Sequence, residues 1–215
     1  MAADQREVWT AIADSFDRTR QRPWPHVVEF LQGLPEGSRV LDLMGGNGRH
    51  GKAAIAAGHD VLALDWSLPL LRRAPGGPGD RVLADATRLP LRSGSFDACV
   101  FVAGLHGLPS PEHRAACLAE LHRVLPEGGT AQVTVWSRDA PRFRGQGTPG
   151  QPIDVEVPWR SGSLAETRHY HLYTAASLRE ALGAAGFTVD RLLGVAVAAQ
   201  EPDNLVATLR RAASA

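Results

Sequence analysis

The sequence predicts an α/β protein built on one open, mostly parallel sheet with helices packed on both faces. Three observations carry this. From residue 39 onward, short runs rich in Val, Leu and Ala alternate with stretches of helical periodicity. The first run ends in the glycine-rich stretch Met44-Gly45-Gly46-Asn47-Gly48 and passes straight into a helical pattern, as a buried strand does when it enters a ligand-facing turn. The second and third runs finish on carboxylates, Asp65 and Asp85. In an open α/β sheet the carboxyl ends of the strands are where ligands bind, and acids there are placed to accept from a ribose diol and an adenine amine.

The elements follow in order. Asp4 and Glu7 read as a capped helix start, with Trp9, Ile12, Ala13 and Phe16 on one helical face. The arginine-rich 17–25 leads to Pro23-Trp24-Pro25. A second helix then points Val27, Val28, Phe30 and Leu31 inward. Strands are expected at 39–43, 60–64, 81–84, 95–102 and 129–136. Helices are expected at 47–57, 67–73 and 111–125, the last with Cys117, Leu118, Leu121 and Leu125 inward. The glycines and prolines of 74–80 mark a loop. Residues 137–173, rich in Gly, Pro and Arg, break the rhythm and are too long for a plain connection. A helix over 174–185 and two strands, 187–197 and 204–210, close the chain.

With 215 residues the chain can bury a full core as one domain, 1–215. Lys plus Arg and Asp plus Glu each number 23, so the net charge is zero and a nucleic-acid partner has to be met by a local patch. Cys99 and Cys117 lie in apolar segments and make neither a disulfide scaffold nor a zinc cluster. His169 and His171 could share a strand face, yet no further His or Cys cluster supports a metal site. No leader or membrane-spanning run is visible, so the expected location is cytoplasmic.

The glycine turn followed by Asp65-Trp66 and Asp85-Ala86 resembles the class I S-adenosylmethionine-dependent methyltransferases over essentially the whole chain. That resemblance implies a Rossmann-like class I methyltransferase fold: a seven-stranded, mostly parallel sheet with a C-terminal antiparallel hairpin and N-terminal helices. It implies S-adenosyl-L-methionine as cofactor, with Gly46 and Gly48 beneath its methionine part and Asp42 near its amino group. Asp65 then accepts from both ribose hydroxyls while Trp66 packs on the adenine. Asp85 accepts from the adenine amine, and Ala86 donates its backbone N–H. Met44 stands where the family has glycine, with Gly45 expected to take the turn one position later. A dinucleotide dehydrogenase is the rival on the same architecture; the turn is read as not supplying its G-x-G-x-x-G spacing, and no nicotinamide chemistry is identifiable downstream.

Four further stretches carry a narrower resemblance: Thr19-Arg20-Gln21-Arg22-Pro23-Trp24-Pro25, Leu105-His106, Asp154-Val155-Glu156-Val157-Pro158-Trp159, and Arg168-His169-Tyr170-His171-Leu172-Tyr173. Together they look like the tRNA wobble-uridine carboxymethyl methyltransferases, which methylate the carboxylate of a 5-carboxymethyl group. The resemblance implies tRNA as substrate and a small zinc-binding activator subunit as partner. The apolar edge for that subunit is expected at Val82 and Leu83, with Leu70 and Leu71 nearby. Residues 1–35 are expected to form a helical lid and 137–173 a substrate-side insertion. Arg20, His106, Arg168 and His171 are the candidate catalytic residues. Arg20 and Arg168 are chosen because a guanidinium fork holds a carboxylate in two bonds. Trp24, Trp159 and Tyr170 are candidates to stack a splayed base. The clustered Arg18, Arg20 and Arg22, with Arg138, Arg142, Arg144 and Arg160, form a candidate phosphate-tracking patch. A small-molecule methyltransferase and a non-catalytic cofactor-binding subunit remain as alternative readings.

Overall fold

The computed structural model describes residues 4–77, 80–197 and 200–213. Its central sheet runs in the order β3-β2-β1-β4-β5-β9-β8. The strands are β1 (Arg39–Leu43), β2 (Asp60–Asp65), β3 (Arg81–Leu83), β4 (Ala98–Val102), β5 (Thr130–Trp136), β8 (Phe187–Val195) and β9 (Asn204–Arg211). The first five pair in parallel, and β9 then runs antiparallel to both β5 and β8. The strand order reverses between β1 and β4, and this opens a crevice at their carboxyl ends.

The pleat decides which residue faces which layer. Leu41 and Leu43 of β1, with Cys99 and Phe101 of β4, enter the larger core against α6 (Pro111–Val124) and α7 (Ala175–Ala184). Val40, Ala98 and Val100 face the other way, onto Val27 and Leu31 of α3 (Pro25–Gln32) and Ala54 of α4 (Arg49–Ala56). Being covered on both sides explains why these strands read as continuous apolar runs. Helix starts follow local chemistry. The Ser110 hydroxyl accepts from the His113 N–H with Pro111 at the first position, and Thr174 and Ser177 form a capping box. Cys99 and Cys117 are buried and free. Among the described residues no helix is long and apolar enough to cross a membrane.

Three expectations change. The first helix is two, α1 (Gln5–Ala11) and α2 (Ala13–Thr19), divided at the fully buried Ile12. The bend brings Trp9 edge-on to Phe16 at 5.1 Å. The 137–173 stretch is largely a β-hairpin, β6 (Ile153–Ser161) and β7 (Leu164–Leu172), closed by a tight turn with Gly162 at φ 60°. Its burial alternates along both strands, so one face of β7 is committed inward. At the β3 edge Leu83 is 54% exposed, but Leu70 and Leu71 of the short helix α5 (Leu68–Leu71) are 2% and 4% exposed. They pack inward and do not extend an apolar edge.

Candidate active site

The crevice is a cleft of about 910 Å³, its mouth included, walled by the glycine turn, the ends of β2 and β4, β7, and the α1–α2 roof. At its floor the Gly45 N–H donates to the Leu64 carbonyl at 3.1 Å and the Gly48 N–H to the Gly45 carbonyl at 3.0 Å. Met44 itself takes the left-handed conformation, φ 51°, contrary to the expectation that Gly45 would absorb it. Gly45 is needed for a different reason: a Cβ there would lie 2.5 Å from the Asp42 carboxyl carbon. Asp42 is buried under the turn and accepts from the Gly51 N–H at 3.0 Å, and burial pushes its pKa up to about 7. It props the turn from below and does not line the cleft, so it is not placed to meet an amino group there. The turn also satisfies G-x-G-x-x-G through Gly46, Gly48 and Gly51. Glycine spacing therefore does not separate this site from a dinucleotide site, and the distinction rests on the acceptor wall.

Asp65 closes β2 inside the cleft. Its two oxygens accept from the Gly46 and Ser67 N–H groups, each at 2.8 Å, and it belongs to no ion pair among the described residues. Burial lifts its pKa to about 6, so it is ionised at neutral pH with acceptor capacity left over. Trp66 and Leu70 supply an apolar wall beside it. A carboxylate with spare lone pairs next to a flat aromatic fits a ribose and its base. Asp85 is occupied differently: one oxygen takes the Thr87 N–H and hydroxyl, and the other pairs with Arg6 of α1. The Arg6 guanidinium also lies 5.4 Å from the Trp66 ring centre. Neither Asp85 nor Ala86, whose side chain packs in the core, lines the cleft, because Arg6 stands over the end of β3.

The opposite wall is aromatic and cationic. His106 follows β4, stacks on Trp136 with ring centres 5.2 Å apart, and lies 5.0 Å from the Tyr170 ring. Burial, reinforced by Arg142 and Arg168, drives its pKa down to about 3, so the imidazole is neutral. The Trp136 N–H donates to Nδ1 at 3.4 Å, which assigns the proton to Nε2. Arg168 is 5% exposed and donates from Nη1 to the Tyr170 hydroxyl at 3.0 Å. Its Nε is buried without a partner, and it forms no ion pair among the described residues. Arg20 lines the same cleft, and its pKa is lowered by burial and by Arg168. Two cations thus face one space without a carboxylate between them.

Of the residues singled out from sequence, the cleft gathers Gly46, Asp65, Trp66, Arg20, Trp24, His106, Arg168 and Tyr170. Gly48 stands behind it at φ 69°, pressed against Ala74, where a Cβ would come within 2.8 Å. His171 is turned away. It alternates with Arg168 and Tyr170 along β7 and bonds Asp154 through Nδ1 at 2.9 Å. No group of three or more His, Cys, Asp or Glu suited to a metal occurs among the described residues. Trp159 sits behind Arg168, 4.7 Å from its guanidinium, and donates from Nε1 to the Ser15 hydroxyl at 2.8 Å, which pins the hairpin to the α2 lid. Sequence reasoning missed Asn47, whose side chain donates to Asp17 and to the Arg20 carbonyl, each at 2.8 Å, tying the lid to the turn. It also missed Arg49, Trp136 and Arg6, which short-range patterning does not single out.

A family model described as "Methyltransferase domain" matches residues 41–133, the segment that carries β1 through most of β5. A solved S-adenosylmethionine-dependent methyltransferase structure from Methanosarcina mazei superposes with a TM-score of 0.72 at 20% identity, over 90% of this chain and 100% of that one. In fold and in the matched segment the chain is similar to the class I S-adenosylmethionine-dependent methyltransferases. Within that class the chain is similar to curated tRNA (carboxymethyluridine(34)-5-O)-methyltransferases. The Schizosaccharomyces pombe protein is 29% identical over 203 residues, covering 85% of this chain and 88% of that protein. The Macaca fascicularis ALKBH8 protein is 38% identical over 133 residues, 62% of this chain. This chain spans only 20% of the length of that relative. A further structural neighbour is a Haloferax volcanii chain, described as a methyltransferase, solved in complex with the Trm112 methyltransferase activator. It matches at TM-score 0.69 and 16% identity, over 99% of this chain and 100% of that one.

Proposed function

We propose that this chain uses S-adenosyl-L-methionine to methylate the carboxylate of 5-carboxymethyluridine at the first anticodon position of tRNA. One observation carries the reading: Arg168, a buried guanidinium without an anionic partner among the described residues, faces the cleft that also holds the glycine turn and Asp65. A buried cation left unpaired is costly unless a ligand completes it. A carboxylate matches its planar fork.

The glycine turn, Asp65 and Trp66 would hold the cofactor, which when bound supplies an electrophilic methyl group on a sulfonium. The acceptor carboxylate is already ionised at neutral pH, so no general base is required. What the chain has to do is align an oxygen and exclude water. Arg168 and Arg20 grip the carboxylate. His106, neutral and carrying its proton on Nε2, donates a hydrogen bond without adding charge. The Tyr170 hydroxyl, accepting from Arg168, has its own proton free to donate. The α1–α2 roof, with Trp9 and Phe16 on the cleft, shields one side of the site from solvent. The same roof suits a small-molecule acceptor, the alternative reading. A cytoplasmic location and a single domain over 1–215 belong to the proposal. So does an activator subunit, supported by the exposed Leu83 on edge strand β3 and by the Haloferax neighbour's complex with Trm112.

The test is incubation with methyl-labelled cofactor and either total tRNA or a metabolite extract, with and without an added activator subunit. Label that enters tRNA and is released by mild base marks a methyl ester. Label that enters only small molecules, or none entering RNA at any salt concentration, overturns the RNA reading.

A further inference from the structure

The cleft does not open to solvent in one direction only. A second, wider groove adjoins it and shares with it Arg20, Trp24, Arg49 and Trp136. Beyond that throat the groove is walled by Arg18, Arg22 and Arg142, with the Pro23-Trp24-Pro25 corner along one side.

The arginines of this groove are free of the ion pairs that hold several others. Arg73, Arg123, Arg144 and Arg210 each pair with a carboxylate. Arg138, expected in the same patch, is buried and donates to the backbone carbonyls of Phe143, Gln146 and Thr148. Arg18, Arg20, Arg22, Arg49 and Arg142 are in no ion pair among the described residues. Only Glu29 and Asp203 bring negative charge to the groove walls. Arg49 is held down to about 10 by burial and by Arg20, and Arg142 is lowered by burial, opposed by Asp203 and Tyr170 and reinforced more weakly by Arg168 and Arg20. On a chain of zero net charge, five arginines in no ion pair line this one channel. Two of them present flat faces: Arg142 lies 3.8 Å from the Trp136 ring centre and Arg49 lies 5.0 Å from that of Trp24. Guanidinium planes backed by indoles are platforms on which unstacked bases rest.

We infer that this groove carries the phosphate backbone of a single-stranded RNA segment, while the throat at Arg20, Trp24, Arg49 and Trp136 admits one flipped nucleotide into the cleft. The inference rests on the reading of the chain as a tRNA methyltransferase and adds to it a route and a direction. Phosphates flanking the reacting base lie along Arg18, Arg22 and Arg142, and the base passes between the two indoles. Such binding is salt-dependent and largely blind to base identity, so it supplies affinity but leaves selection to the cleft.

The experiment uses the full chain and a fluorescein-labelled anticodon stem-loop RNA with uridine at the first anticodon position. Binding is followed by anisotropy from 50 to 300 mM salt. The variants are Arg18→Ala, Arg22→Ala, Arg142→Ala and the triple replacement. Arg18 and Arg22 are exposed, and circular dichroism checks that each variant folds. The triple variant should bind about tenfold or more weakly at low salt. Its log–log salt slope should be shallower by about 2, near 0.7 per lost phosphate contact on a single strand. Binding of S-adenosylhomocysteine, followed by calorimetry, should be unchanged. If wild type methylates RNA while the triple variant keeps wild-type affinity and slope, the groove assignment is wrong and the proposed function stands. If the variants lose RNA as expected but wild type transfers no methyl to RNA, the groove stands and the function fails. Preference of wild type for a polyglutamate peptide over the RNA at equal charge would assign the groove to an acidic protein and overturn the inference.

Discussion

Replacing Arg168 with methionine should make the protein more stable and less active at once. In the free protein this guanidinium is 5% exposed, its Nε has no partner, and its one hydrogen bond to a side chain is to the Tyr170 hydroxyl at 3.0 Å. A buried unsatisfied donor costs about 1–3 kcal/mol. Against this stand the Tyr170 bond, worth about 1 kcal/mol, and stacking at 4.7 Å on Trp159, worth about 0.5–2 kcal/mol. Methionine fills similar space without a charge to desolvate. Such replacements of buried ions are often neutral or stabilising by about 1–4 kcal/mol. We expect a net gain of about 1 kcal/mol, a rise in Tm of about 2–4 °C for a chain of this size. Loss of two charge-assisted bonds to a carboxylate, at about 1.5–3 kcal/mol each, should lower kcat/KM by about 10² to 10⁴. Arg168→Lys should recover charge but not the fork, and so only part of the activity. Urea denaturation and methyl transfer to tRNA measure the two effects. A fall in stability matched by a proportionate fall in activity would show that Arg168 is only structural. Activity within about tenfold of wild type would refute the clamp.

Three other outcomes follow from the site. Asp65→Ala should weaken S-adenosylhomocysteine binding by about 1–3 kcal/mol. In wild type that binding should weaken as pH falls through about 6, where burial causes Asp65 to protonate; calorimetry at pH 5 to 8 showing a flat profile would remove Asp65 from the cofactor site. Asp42 has a folded pKa near 7 against the usual 3.8, so the native state holds its proton more tightly and wild-type stability is lost as pH rises between those values. Asp42→Asn carries no such penalty, and its stability relative to wild type should grow by about 4 kcal/mol from pH 4 to pH 8, read by urea melts; a pH-independent difference contradicts the assignment. Arg6→Ala releases Asp85 and one face of Trp66. An exposed pair is worth at most about 1 kcal/mol, so cofactor affinity should rise by no more than about fivefold, and weaker binding would mean that Arg6 itself holds the ligand.

The local parts of this molecule were legible from residues 39 to 136. Runs such as Val40-Leu41 and Ala98-Cys99-Val100 declare buried parallel strands because both their faces are covered. A glycine turn between strand and helix declares where the backbone approaches a ligand. The β6–β7 hairpin was not read as strands, although Val155, Val157 and Trp159 fall at alternate positions, because the Gly- and Pro-rich run at 141–152 marked the whole stretch as irregular. The narrower motif around Arg168 pointed to the right strand but set His171 beside Arg168 as catalytic.

The sequence by itself determined the layer architecture, the ends of β1 and β2 as a nucleoside-shaped floor, and the residue types available to meet a carboxylate. Only the tertiary structure decided which of them meet. The pleat of β7 turns Arg168 and Tyr170 inward and His171 outward, Asn47 reaches back to the Arg20 carbonyl, and Arg6 crosses to Asp85, 79 residues away. Periodicity is a local property that short-range sterics and burial impose on neighbours. The convergence of unpaired arginines on one cleft depends on how distant elements pack.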